Sequence, residues 1–203
     1  FLTNVSIVES GQRHILGEGK TKGAILENIL GMFAYFKTNT TFDFVANIMS
    51  NASALQLGRK FLIEQGLLKQ VLDLVADKAT VNEHRRKHLL AVVRNCCFEY
   101  EAYEADFAQM DLLPTLVKLL VQEQGLAQLP PAWEHLNGVA PRELFMKQID
   151  MDNTREILDA LILLCNSDKF LNDMHAAQFH EILAIIKCPN FGETQTKVDT
   201  IAG

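Results

Sequence analysis

Two cysteines stand side by side in the stretch VVRNCCFE, Val92 to Glu99, in a chain of 203 residues that holds four cysteines. Such a pair can hold a metal, exchange disulfides, act as a nucleophile, or simply pack. Structural zinc sites want two or more residues between ligands, and this chain has no C-x-x-C. A disulfide between neighbours would be strained and would not suit a helix. Helical spacing sets Cys96 with Leu89, Val92 and Val93, and Cys97 with Leu90 and Val93. These neighbours favour small, buried packing residues over redox or metal chemistry.

The other reactive residue types are also poorly arranged. His84 and His88 form an i, i+4 pair suited to one face of a helix, but Arg85, Arg86 and Lys87 lie between them, and their charge opposes a cation. The run HRRKH itself reads as a solvated helix face. None of the five serines lies in a G-x-S-x-G elbow. GEGKTKG, Gly17 to Gly23, lacks the spacing of a phosphate loop and the strand that precedes one, so it reads as a linker between helices. The expectation is a non-enzyme with no cofactor and no metal.

Composition narrows the partners. A formal charge of −6 argues against nucleic acid, which needs clustered Lys and Arg. Apolar residues make up 48% of the chain, enough for a sizeable core, yet no apolar run reaches the roughly 18 residues that span a bilayer. No signal peptide and no initiator Met are present, and FLTNVS reads as the inside of a helix, so a fragment of a longer protein is expected. Four cysteines in a Leu-rich, loop-poor chain suit a reducing compartment, hence a cytoplasmic protein.

The elements that must position these residues are helices throughout. Apolar residues recur at helical spacing in AILENILGMFAYF, LLKQVLDLV, LLPTLVKLLV, REILDALILLC and FHEILAIIKC, with no convincing alternating run. The class is all-α. The helices also repeat. Thr3–Leu16 and Ser50–Ile63 share an Asn, a Ser two residues later, a Gly seven after the Asn, then a basic residue and an aliphatic pair. Asn4 and Asn51 are 47 positions apart, and Asn95 in a third copy follows 44 later. In that copy Asp111 stands where Gly66 precedes the last helix of the second. A weaker fourth copy has Cys165 near the Asn position.

This period is that of armadillo and HEAT arrays, so the expected fold is an armadillo/HEAT-like α-solenoid, a right-handed superhelix of stacked repeats. Residues 1–127 would carry about three copies, the first truncated. Residues 128–152 would be a Pro-containing insertion on one face, functional or passive, and 153–203 a C-terminal helical repeat or cap. The recurrent Asn4, Asn51 and Asn95 fall near the end of the helix that would line the concave face. An Asn side chain offers a donor and an acceptor, so a ladder of them can hold an extended peptide; equally, each can cap its helix. Arg94, beside Asn95, would add an anchor for an acidic segment.

FVANIMSNAS, VVRNCCFE, DLLPTLVKLL, the LP at Leu129–Pro130 and REILDALILLC occur in this order, and together they resemble the eukaryotic armadillo-like family of HGH-one homologues. The resemblance runs over essentially the whole chain, with Arg94 to Glu99 its most specific element. It implies two domain families in tandem, the second at about Asn153–Ile201. It also implies a cytosolic co-chaperone that helps translation elongation factor two fold, bridging it to the chaperonin TRiC/CCT, with the ninety-kilodalton heat-shock chaperone involved. Members usually carry a polar, Lys-rich segment after the LP element, where this chain has the more apolar PRELFMKQIDMD. The alternative is a generic armadillo peptide-binding scaffold for transport or complex assembly.

Overall fold

The computed structural model describes residues 1–17, 22–35, 40–77, 83–124, 131–136, 151–185, 196–197 and 200–201. Among them there is helix and no strand. In chain order the α-helices are α1 (Leu2–Val5), α2 (Glu9–Leu16), α3 (Ala24–Tyr35), α4 (Val45–Ala54), α5 (Gln56–Glu64), α6 (Leu67–Ala76) and α7 (Glu83–Cys96). Then follow α8 (Glu104–Gln109), α9 (Leu112–Gln124), α10 (Met151–Leu164), α11 (Asp168–Ala176) and α12 (Phe179–Ile185). Short 3-10 segments cover Thr40–Phe42, Cys97–Ala102 and Pro131–Leu136.

The breaks between helices recur at matching points. Between α1 and α2 the chain turns at Val8 (φ −98°, ψ 145°), and between α4 and α5 at Leu55 (φ −84°, ψ 140°). Each is four residues after an Asn of the repeat, and each is a β-favouring or branched aliphatic residue in an extended conformation. A left-handed residue precedes the last helix of each copy: Gly23 (φ 77°), Gly66 (φ 67°), Asp111 (φ 52°) and Gln178 (φ 54°). The alignment of Asp111 with Gly66 therefore corresponds to one backbone conformation, which Asp tolerates better than most residues.

The shared glycines have a second, steric reason. A Cβ on Gly11 would lie 1.9 Å from the carbonyl oxygen of Val5, and a Cβ on Gly58 would lie 2.0 Å from that of Ala52. Each glycine lets the short second helix cross the end of the first at backbone contact, just after the extended corner residue.

The chain forms two compact units, Phe1–Asp106 and Phe107–Gly203. In the first, α4 packs along α7 and also meets α1, α2, α3 and α5. Ile15, Leu16, Met49, Leu62, Leu68, Val71, Leu89 and Val92 are buried there. In the second, α9 packs on α10, burying Leu116, Val117 and Leu120 with Ile157, Leu158 and Leu161. Trp133, from the expected insertion, is buried edge-on to Phe179, with ring centroids 6.4 Å apart. Residues 128–130 and 137–150 of that segment lie outside the described residues, as do Glu18, Gly19, Lys20 and Thr21 of GEGKTKG. No helix among the described residues is long and apolar enough to cross a membrane.

Gly58→Ala will lower stability by about 2–3 kcal/mol, a fall in Tm of roughly 5–10 °C. Gly31→Ala, in α3 with nothing within 4 Å of the added Cβ, will raise or leave Tm unchanged. Thermal unfolding followed by circular dichroism checks both; equal effects would show that backbone contact is not what Gly58 provides.

Candidate functional site

The end of α7 carries the residues singled out by sequence, and its local course differs from the earlier copies. The extended corner residue of the first two copies, Val8 and Leu55, is replaced here by Glu99. The chain does not break; it continues from Cys96 (φ −64°, ψ −28°) into the 3-10 turn Cys97–Ala102. Three residues per turn place Cys97 and Tyr100 on the same inward side, and both are buried. Phe98 faces outward and is 61% exposed.

Glu99 turns inward, its side chain 6% exposed, against Arg59 of α5, 16% exposed. Arg59 Nε donates to Glu99 Oε1 at 2.8 Å, and its Nη2 lies at the same distance from that oxygen. Gln56 Nε2 reaches Glu99 Oε2 at 3.2 Å. Arg59 Nη1 also donates to the carbonyl of Ala54 at 2.9 Å, at the C-terminal end of α4 where the helix dipole favours a cation. The guanidinium stands 5.6 Å from the centroid of the Phe98 ring, a cation–π distance. One arginine thus joins α4, α5 and the segment after α7.

The asparagines form a latch between successive copies. Asn51 Nδ2 donates to Ser6 Oγ at 2.9 Å, and Ser6 Oγ donates to the Thr3 carbonyl at 2.7 Å. Asn95 Nδ2 donates to Ser53 Oγ at 2.9 Å, and Ser53 Oγ to the Ser50 carbonyl at 2.7 Å. Asn95 is buried, Asn51 half-buried, and Asn4 exposed on α1. Arg94, half-buried, donates from Nη2 to Asn95 Oδ1 at 3.0 Å. Of the four sequence-predicted partner residues, the structure brings Arg94 and Asn95 together and engages the Asn51 and Asn95 amides with the preceding copy.

The thiols are sealed. Burial pushes Cys96 up to about 12 from an ordinary 9.0, with Arg59 lowering it and Glu99 raising it. Burial, followed by the neighbouring Cys96, also holds Cys97 well above the usual thiol range. Cys165 is half-buried, its Sγ 3.7 Å from Met174 Sδ.

One sequence expectation is overturned. HRRKH is not a solvated face, because Arg85 and Arg86 are 1% and 3% exposed. Arg85 Nε bonds Asp43 Oδ1 at 2.6 Å, and Arg86 donates to the Val75 carbonyl. Both guanidinium groups replace hydration with fixed acceptors, which a run of charges in sequence does not reveal. His84 Nε2 shares a hydrogen bond with Asn47 Oδ1 at 2.6 Å, and its ring lies 4.7 Å from that of His88. Burial, then His84 and Lys87, lowers the pKa of His88. Among the described residues no group of three or more His, Cys, Asp or Glu could hold a metal ion.

Sequence reasoning passed over Arg59 and took Glu99 only as the end of the Arg94–Glu99 motif, with no role. The signal was their register, Arg59 eight residues after Asn51 and Glu99 four after Asn95, but nothing in sequence pairs residues 40 positions apart.

Residues 1–128 match a family model described as a domain of unknown function, DUF383. The chain is 26% identical over 201 residues to Protein HGH1 homolog of Dictyostelium discoideum, covering 90% of this chain and 54% of that protein. It is 27% identical over 174 residues to Protein HGH1 homolog of Xenopus laevis, covering 81% and 46%. The chain thus spans about half the length of the curated relatives it matches.

Two outcomes follow for this site. Glu99→Gln keeps the shape and leaves Arg59 buried beside a neutral partner, so denaturant unfolding will show a loss of about 3–5 kcal/mol. Native Cys96 and Cys97 will resist a thiol reagent at pH 8 and react only when the chain unfolds. Because the folded thiol value lies above the unfolded one, its stabilising effect is full below about pH 9 and is lost as pH rises toward about 12. Rapid labelling of either cysteine in the native state would contradict this.

Proposed function

This chain belongs to the DUF383 family and sits with the HGH1 homologues, and we propose that it is a non-catalytic adaptor, a co-chaperone that offers an armadillo-like surface to a folding client. The client is translation elongation factor two. The adaptor links it to the chaperonin TRiC/CCT, with the ninety-kilodalton heat-shock chaperone as a further partner, in the cytoplasm.

The observation that carries this reading is what the RNCCFE residues do. Asn95 latches onto Ser53, Glu99 holds Arg59, and the two thiols are buried and kept protonated. Their chemistry is spent on joining helical copies, as a scaffold requires. The recurrence of the serine–asparagine latch, the crossing glycine and the left-handed residue supports stacking of the copies into a solenoid. On this reading α4 and α7 are the helices whose exposed edges face partners, near Asn51, Arg94 and Asn95.

Affinity capture from a eukaryotic lysate with the tagged chain tests the proposal. Elongation factor two and chaperonin subunits will be enriched over a bead control. Recovery of neither, from a chain shown by circular dichroism to be folded, would remove the co-chaperone reading. Arg94→Ala separates surface from scaffold: it will weaken capture while costing less stability than Asn95→Ala, which leaves Ser53 without its latch and will lower stability by about 1–3 kcal/mol.

A further inference from the structure

The turn after α7 shows one aromatic ring and one carboxylate on the same side. In the 3-10 segment Cys97–Ala102, residues three apart eclipse one another, so Phe98 and Glu101 face outward while Cys97 and Tyr100 face inward. Arg59 stands over one face of the Phe98 ring, 5.6 Å from its centroid, and its charge is answered by Glu99. The ring is still 61% exposed, so the face away from Arg59 is open to solvent. Glu101 is exposed and makes no hydrogen bond or ion pair with any described residue.

The surroundings are anionic. Residues 95–117 hold five carboxylates and no Lys, Arg or His. Tyr103 donates to Glu64 Oε1 at 2.6 Å. That bond, then burial and the charges of Glu64, Glu99 and Asp106, pushes the phenol up to about 12, and no cation acts in the opposite direction. Glu64 and Asp106 are both exposed. Lys60, one turn before Glu64 on α5, is half-buried and forms no ion pair with it. Arg94, one turn before Phe98, is turned to Asn95 with its Nε buried, so it does not answer Glu101 on the far side of the ring.

We propose that Phe98 and Glu101 form a docking site for an arginine-bearing linear segment of a partner protein, the arginine stacked on the open face of the ring and paired with the Glu101 carboxylate. The charge complementarity is local. Arg59 and Glu99 neutralise each other, and Glu101 adds an unanswered negative charge beside the ring. The spacing suits a guanidinium. Three residues of 3-10 helix rise about 6 Å, and a cation is attracted to a ring within about 6 Å of its centroid. One guanidinium lying over Phe98 therefore also reaches the carboxylate. Arginine fits better than lysine, because its planar group stacks on an aromatic face and offers paired N–H donors to a carboxylate, whereas an ammonium is a strongly hydrated point charge. A second cation of the same segment is favoured by Glu64 and Asp106 around Tyr103. This inference rests on the reading that the chain meets a protein partner, and it gives the chemistry of that partner.

A fluorescein-labelled Gly/Ser peptide with arginine at three alternate positions serves as the probe for fluorescence anisotropy with the full chain. Two counterparts carry lysine or glutamate at the same positions. The Arg peptide will bind and weaken as salt rises. The Lys peptide will bind about threefold more weakly, and the Glu peptide will not bind. Glu101→Gln, at an exposed position that leaves the packing intact, will weaken the Arg peptide about threefold. Phe98→Leu keeps an apolar side chain without a π face, and will bring the Arg and Lys peptides to equal affinity. No binding of the Arg peptide, equal affinity for the Lys peptide in the unaltered chain, or unchanged affinity in Glu101→Gln would overturn the proposal. Glu101→Gln decides the matter should Phe98→Leu melt early. Failure of the adaptor reading is distinguishable. Arg-selective peptide binding without capture of elongation factor two leaves the docking site standing and removes the client, whereas capture by a chain that binds no Arg peptide does the reverse.

Discussion

A carboxylate removed from water must find its compensation inside the protein, and at Glu99 that compensation comes from a residue 40 positions earlier. Arg59 supplies the opposite charge and Gln56 a further donor. The same guanidinium donates to the C-terminal carbonyls of α4, so it is held from two sides. The consequences spread outward. Glu99 can point inward only if the chain after α7 does not turn at the extended corner used by Val8 and Leu55. The 3-10 continuation is the conformation that satisfies the pair, and its three-residue period then sends Cys97 and Tyr100 inward and Phe98 outward. Burial of Cys97 and exposure of the Phe98 ring go with one ion pair, whereas Cys96 is buried by the register of α7 itself.

Around that pair a simpler rule governs the earlier copies. An Asn amide reaches back to a serine hydroxyl, the hydroxyl donates its own hydrogen bond to a carbonyl three residues earlier, and a glycine admits the next helix at backbone contact. Each bond is modest, but each is made where water has been displaced, so its loss would leave an unpaired polar group. The hydroxyl must come two residues after each Asn. In the third copy this position is Cys97, a poorer hydrogen-bonding group, while the Arg59–Glu99 pair adds a second tie between the second and third copies beside the Asn95–Ser53 latch. The third copy thus differs from the first two at both positions together, hydroxyl and corner residue.

Much of this was legible in sequence because it is periodic. Helical spacing of apolar residues located the helices, and the repeated Asn, Ser and Gly marked the points where helices end, latch and cross. Asp111 aligned with Gly66 because both occupy the same left-handed position. The inert character of Cys96 and Cys97 was also readable, since their helical neighbours are apolar. What escaped was pairwise and non-local. Arg85 and Arg86 look like a solvated run until Asp43 and the Val75 carbonyl are brought to them by folding. The partner of the Asn95 amide, a serine 42 positions away, likewise exists only once α4 lies against α7. Composition records that a residue is polar; burial depends on what the fold sets beside it.

An exposed phenylalanine is by itself unremarkable, since apolar atoms make up more than half of an ordinary protein surface. Phe98 differs in that its position is dictated from below. The ring cannot turn inward without moving Glu99, and Glu99 cannot move without stranding Arg59, so the same short stretch fixes the scaffold and displays the ring. Arg94, one turn earlier, is tied to Asn95 in a similar way. Surface and staple are coupled through adjacent residues, so a single short motif both ties α4 and α5 to the end of α7 and leaves the Phe98 ring exposed.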